Sequence, residues 1–113
     1  MAKDTIYLFT RAGMGNAPAE LQMNLAVKFF SLLPVNGSLP TKIFFYAEGV
    51  KLACKGSPAV EALRALQSAG VELILCTTCL DFFHLTDEVA VGIPGSMADI
   101  VDGIAKAKKV VSL

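Results

Sequence analysis

An α/β fold, with a parallel sheet covered by helices on both faces, is what this sequence predicts. Three observations carry that expectation. Short apolar, β-rich runs alternate along the chain with stretches of helical periodicity. Apolar residues make up 54% of the chain and charged residues 18%, more apolar and less charged than a typical soluble domain. That surplus needs a sheet covered on both sides and a partner surface, so a homo-oligomer is expected. The length, 113 residues, suits one domain over 1–113, and no repeat, low-complexity tract or linker interrupts it.

The elements follow in order. Asp4 to Thr10 reads as a first buried strand through Ile6-Tyr7-Leu8-Phe9. A glycine-containing loop, Arg11 to Ala17, leads to Pro18, placed where a first helical turn tolerates proline. Leu21, Leu25, Phe29 and Leu32 recur at helical spacing, and Pro34 is expected to end that helix. Lys42 to Ala47 is a second strand, followed by a helical turn over Val50 to Cys54. Ser57-Pro58 starts a helix carried by Val60, Leu63 and Leu66, and Gly70 stops it. Val71 to Cys76 is the third strand, Thr77-Thr78 a tight turn, and Leu80 to His84 a short helix. Glu88 to Val91 reads as a short fourth strand and Gly92 to Gly95 as a loop. Ser96 with Asp99 resembles a capping box ahead of a helix whose apolar side is Met97, Ile100, Val101 and Ile104. Lys109 to Ser112 is a final strand.

Charge and composition exclude several functions. The formal net charge is zero, and the largest basic group is Lys106, Lys108 and Lys109, so nucleic-acid binding, which rests on phosphate neutralisation, is not expected. The residues Met1 to Asp4 lead straight into a strand pattern with no secretory signal, and no apolar run is long enough to span a membrane. Three cysteines without a signal argue against a disulfide framework and for a reducing, cytoplasmic setting.

Chemistry centres on Cys76 and Cys79, a C-x-x-C at a strand-to-helix junction. Unpaired backbone N–H groups and the positive end of a helix favour thiolate there, which predicts a lowered pKa. Thiolate is the species that attacks sulfur, so the position suits persulfide carriage or disulfide exchange. Cys79, beyond the strand, is the better placed nucleophile, and Cys76 its resolving partner or a buried neighbour. Two other readings stay open. Both thiols also suit plain packing. A zinc site would need Cys76, Cys79, the single histidine His84 and Cys54, every Cys and His in the chain, so no metal is assigned. Cys54 either faces the same crevice or packs in a short helical turn, and His84 is a base, a ligand or a surface residue.

Ligands of parallel sheets gather at the carboxyl ends of the strands. Two further loops belong there. Gly13, Gly15 and Asn16 occupy the position of phosphate-binding loops, yet the dinucleotide pattern lacks its third glycine at Pro18 and no G-K-[ST] is present. The loop is either a loose anion or nucleotide site or a plain turn using glycine for positive φ. Glu48 and Lys51 leave the second strand; Lys51 is a candidate to steady a thiolate, and Glu48 to orient the loop.

Several segments in this order carry a family likeness: Tyr46 to Leu52, Gly56-Ser57, Gly70 to Leu80, Val91 to Met97, and Gly13-Met14-Gly15 in the first loop. Together they resemble the DsrE/DsrF-like family, most nearly the DsrE-like domain of YedF-type proteins linked to selenium metabolism. There the third strand typically ends in C-G-T-C-L; Cys76-Thr77-Thr78-Cys79-Leu80 matches it with Thr77 in place of glycine. YedF-type proteins carry a further N-terminal sulfur-carrier domain, and these 113 residues correspond to the DsrE-like part alone. The resemblance implies a three-layer α/β/α sandwich with a mostly parallel five-stranded sheet, and oligomers, often trimers or hexamers; no cofactor is expected. It also implies a sulfur or selenium relay through a cysteine persulfide, passed between donor and acceptor proteins. The alternative is a non-catalytic small-ligand or nucleotide-binding module built on the glycine loop.

Overall fold

The structure, a computed structural model, describes residues 4–113. The signal-free lead read over Met1 to Lys3 lies outside the described residues. Five strands form one sheet: β1 (Thr5–Phe9), β2 (Lys42–Phe45), β3 (Glu72–Cys76), β4 (Ile93–Gly95) and β5 (Lys109–Ser112), in the order β4-β3-β2-β1-β5. Every strand pairing is parallel, with Phe9 beside Phe45, Phe45 beside Leu75, and Cys76 beside Gly95. The helices are α1 (Ala19–Asn36), α2 (Val60–Ser68), α3 (Thr77–Phe82) and α4 (Met97–Lys106), and a 3-10 segment runs over Ala47–Ala53.

Successive strand residues point to opposite faces, and β2 shows both. Phe45 meets Phe9 and, on α1, Phe30, with ring centroids 6.0 and 6.4 Å away. Its neighbour Phe44 points the other way, against Gly103 of α4. Both rings are fully buried. Helix α2 lies beside α1. The chain steps outward from β1 to β4, then returns through α4 to place β5 on the far side of β1. Right-handed crossovers put the returning helix on the opposite face, which yields the three layers.

The helix ends follow local chemistry. Ser96 and Asp99 form the reciprocal capping box: the Ser96 N–H donates to Asp99 at 2.8 Å and the Asp99 N–H to Ser96 Oγ at 3.3 Å. Helix α2 stops at Gly70 in a left-handed turn, where the Gly70 N–H donates to the Gln67 carbonyl and the Val71 N–H to that of Leu66.

Four expectations are corrected. Pro34 does not end α1, which runs a further turn to Asn36 and is capped by Gly37 at φ 80°. The stripe expected inward on α1 is mostly outward: Ala26, Phe30 and Leu33 are buried, whereas Leu21, Leu25 and Leu32 are exposed. Glu20, Asn24, Lys28 and Ser31 form a polar exposed stripe opposite Ala26, Phe30 and Leu33. Leu21, Leu25 and Leu32 lie on the flank beside that stripe, apolar but turned away from the sheet. The fourth strand is Ile93–Gly95, not Glu88 to Val91; Pro94 sits in it because an edge strand tolerates a missing N–H. Val89 instead makes an isolated antiparallel bridge with Cys54. On α4, Ile100 and Gly103 face the sheet, while Met97, Val101 and Ile104 are exposed.

Candidate functional site

Helix α3 starts at Thr77, directly after β3, so no tight turn intervenes at Thr77-Thr78. Cys76 is the N-cap and is wholly buried. Cys79 therefore falls in the first helical turn, half-buried, at the carboxyl end of the sheet. Residues three and four further along share its side of the helix. These are Phe82, which is 77% exposed, and Phe83, packed against Phe82 with ring centroids 5.1 Å apart.

The 3-10 segment after β2 closes over this sulfur. The Ala47 N–H donates to Cys79 Sγ at 3.1 Å. Ala47 holds a left-handed φ of 52°, a conformation that costs an L-residue about 1–2 kcal/mol. Strain of this kind persists where the surroundings enforce it. Two contacts do so: the Tyr46 N–H donates to the Phe9 carbonyl at 3.1 Å, and the Gly49 N–H to the Tyr46 carbonyl at 2.9 Å.

The Cys79 thiol is pushed up from its ordinary value of 9.0. Burial is the largest cause; the Ala47 amide pulls down, and a hydrogen bond and the charge of Cys76 push up again. The lowering expected from a strand-to-helix junction is thus overturned. The backbone amide that lowers this pKa comes from Ala47, outside α3, while partial burial and a second thiol oppose ionisation.

The remaining candidates are distributed around the same end of the sheet. Lys51 pairs with Glu48 at 2.7 Å, and its Nζ lies 4.5 Å from the centroid of the Phe83 ring. It thus borders the Cys79 mouth through Phe83, and it is not among the groups that move the Cys79 thiol. Cys54 is buried, and its thiol donates to the Val50 carbonyl at 3.2 Å. Burial, then the nearby Glu88 charge, pushes that thiol up. His84 follows α3 in a left-handed conformation, φ 57°, rather than lying inside the helix. Among the described residues, no group of three or more His, Cys, Asp or Glu is arranged to hold a metal ion.

Gly13, Gly15 and Asn16 lie apart from the sulfur site, at the carboxyl end of β1. A side chain at Gly13 would overlap Gln22, so glycine there serves the loop's close approach to α1. Gly15 and Asn16, with Thr10, Arg11 and Met14, line an open cleft of about 440 Å³ that also touches Ser112. None of Cys76, Cys79, Glu48 or Lys51 lines it. β1 and β5 flank this cleft and are the strands between which the chain order reverses.

Ala47 and Gly49 escaped the sequence reading. A glycine two residues after an apolar strand was visible; a left-handed alanine has no sequence signal.

Comparison with known proteins places the fold. At a TM-score of 0.70 and 18% identity, the ychN protein from E. coli is similar over 96% of this chain and 98% of its own. The protein of unknown function MTH1491 from Methanobacterium thermoautotrophicum is similar at 0.71 and 15%, over 96% of this chain and 97% of that one. The conserved protein BT1422 from Bacteroides thetaiotaomicron, also of unknown function, is similar at 0.71 and 13%, over 99% and 97%. A search of curated proteins gives no significant match. The sequence matches the DsrE/DsrF-like family model over residues 3–113, essentially its whole length, and the chain belongs to that family.

Proposed function

We propose that this chain is a cytoplasmic sulfur (or selenium) relay protein that carries sulfane sulfur as a persulfide on Cys79. The observation that carries this reading is a half-buried thiol at the carboxyl end of β3 whose sulfur receives a backbone N–H from Ala47. Thiolate of Cys79 attacks the outer sulfur of a donor persulfide. The donor's S–S bond breaks, its inner sulfur leaves as thiolate, and a new S–S bond forms on Cys79. An acceptor thiolate then repeats the step on the outer sulfur and regenerates Cys79. The raised pKa keeps most of the resting thiol protonated at neutral pH, yet makes the ionised fraction the stronger nucleophile. Cys76, wholly buried, is a neighbour that tunes this sulfur, and it discharges the persulfide only where local opening exposes it. Donor and acceptor are proteins, and the carrier is a homo-oligomer formed through the apolar faces left exposed on α1 and α4.

Exposure to a persulfide donor followed by intact-mass measurement tests the reading. The expected result is an adduct of about 32 Da, one sulfur atom, that is removed by reductant and absent in Cys79→Ser. An adduct that survives Cys79→Ser, or none in the wild type, refutes it.

The cleft between β1 and β5 favours a second reading, a small-anion or nucleotide-binding module. Its support is position: a parallel sheet binds ligands where its strand order reverses, and Arg11 and Asn16 line this cleft. An adenine nucleotide that binds only the native state raises the thermal midpoint. No rise at saturating nucleotide removes that module.

A further inference from the structure

The sulfur of Cys79 is met by an amide that nothing in its own helix supplies. That amide belongs to Ala47, on a different element, and it reaches the sulfur only because the turn after β2 folds tightly back on the end of β1. The tightness has a visible source. A side chain at Gly49 would overlap the Phe9 carbonyl oxygen and crowd the Thr10 nitrogen. The same Phe9 carbonyl accepts the Tyr46 N–H, so the turn is seated on one backbone group from both of its sides. Gly49 is buried, and a turn pushed outward there would stretch the Tyr46 bond to Phe9.

Resting on the relay reading above, we propose that Gly49 is the positioning residue of the sulfur site: its missing side chain lets the turn Tyr46 to Gly49 close on Phe9, and that closure aims the Ala47 N–H at the anionic sulfur of Cys79. The ligand of this amide is a sulfur anion, the thiolate of Cys79 before loading and its persulfide afterwards. A backbone donor suits that task. It is fixed by the fold, it carries no charge of its own, and a hydrogen bond to an ionised acceptor is stronger than one to a neutral thiol. It therefore favours the anion over the thiol. Closure of the turn in this way also explains why a strained alanine is retained at the mouth of the site.

The test follows the rate of Cys79 alkylation by iodoacetamide against pH, read by peptide-resolved mass spectrometry so that Cys54 and Cys76 do not interfere. In Gly49→Ala the profile moves to higher pH, and the rate at pH 7 falls about tenfold, equivalent to one pKa unit. Because a side chain at 49 disturbs packing as well, a second variant replaces the Ala47 amide by an ester through chemical ligation, deleting the N–H alone. The same shift is expected there. An ester variant with the wild-type profile overturns the proposal, whatever Gly49→Ala does. Persulfide uptake, measured in parallel, separates the two ideas. A shifted profile in a protein that takes up no sulfur refutes the relay and leaves the positioning role standing. Full uptake with an unshifted ester profile refutes the positioning role alone.

Discussion

Cys54 and Cys79 are both thiols pushed above their ordinary value, for different reasons. Cys54 is sealed in the interior and bonded to a carbonyl, with Glu88 nearby. Cys79 is only partly covered, and the Ala47 amide offsets some of its burial. A group whose pKa is higher in the folded state stabilises the fold below its unfolded pKa and withdraws that stability as pH rises through the folded value. For both thiols the window begins near 9 and extends upward. Urea unfolding at pH 7 and at pH 10 is therefore expected to show lower stability at the higher pH. Cys54→Ala is expected to shrink that loss, at the expense of a small cavity at neutral pH. An unchanged alkaline loss in Cys54→Ala places its origin elsewhere.

Within the elements, α4 shows how one small residue sets a packing distance. Gly103 lies mid-helix, where alanine is better by about 1 kcal/mol on propensity alone. A Cβ there would lie 2.6 Å from the ring of Phe44, which is fully buried on the central strand β2. Overpacking of a closed core costs about 1–3 kcal/mol. The ring is fully buried, so the clash is expected to outweigh the propensity. Gly103→Ala is expected to lower stability by about 1 kcal/mol, read as a fall in the urea midpoint with the slope unchanged. A midpoint equal to or above the wild type shows that α4 slides outward freely. The capping box at Ser96 holds the start of this helix and is independent of that contact.

Across the whole molecule, apolar side chains remain uncovered on two layers. Helix α1 exposes Leu21, Leu25, Leu32 and Val35, the last at 81%. Helix α4 exposes Met97, Val101 and Ile104. The α4 set recurs at four and three residues and the α1 set at four, seven and three, so each lies on one side of its helix, with Lys28 on the α1 side. Apolar faces of this kind mark association surfaces. Sedimentation velocity at micromolar concentration is expected to show an oligomer, and Val101→Asp combined with Ile104→Asp to reduce its size. These two side chains do not face the sheet, so the substituted chain is expected to stay folded by circular dichroism. A wild-type monomer ends the oligomer proposal.

The alternation of strand and helix, the capping box at Ser96 and the stop at Gly70 were legible in the sequence because each depends on neighbours a few residues away. So was the family, through the order of its short segments. What depended on distant contacts was not. The polar stripe of Glu20, Asn24, Lys28 and Ser31 marks the outward side of α1. Which part of its broad apolar remainder is buried was decided by Phe9 and Phe45 on two strands, which pack on Phe30 and leave Leu21, Leu25 and Leu32 exposed. Pro34 was carried through the last turn by a helix anchored on the sheet. A three-residue strand containing proline became β4 only by lying at the open edge beside β3. At the candidate site, residue types and spacing singled out Cys79 and Cys76. Tertiary structure decided the acidity of that sulfur, because burial, the second thiol and an amide from another element act on it through space. No local pattern encodes their sum.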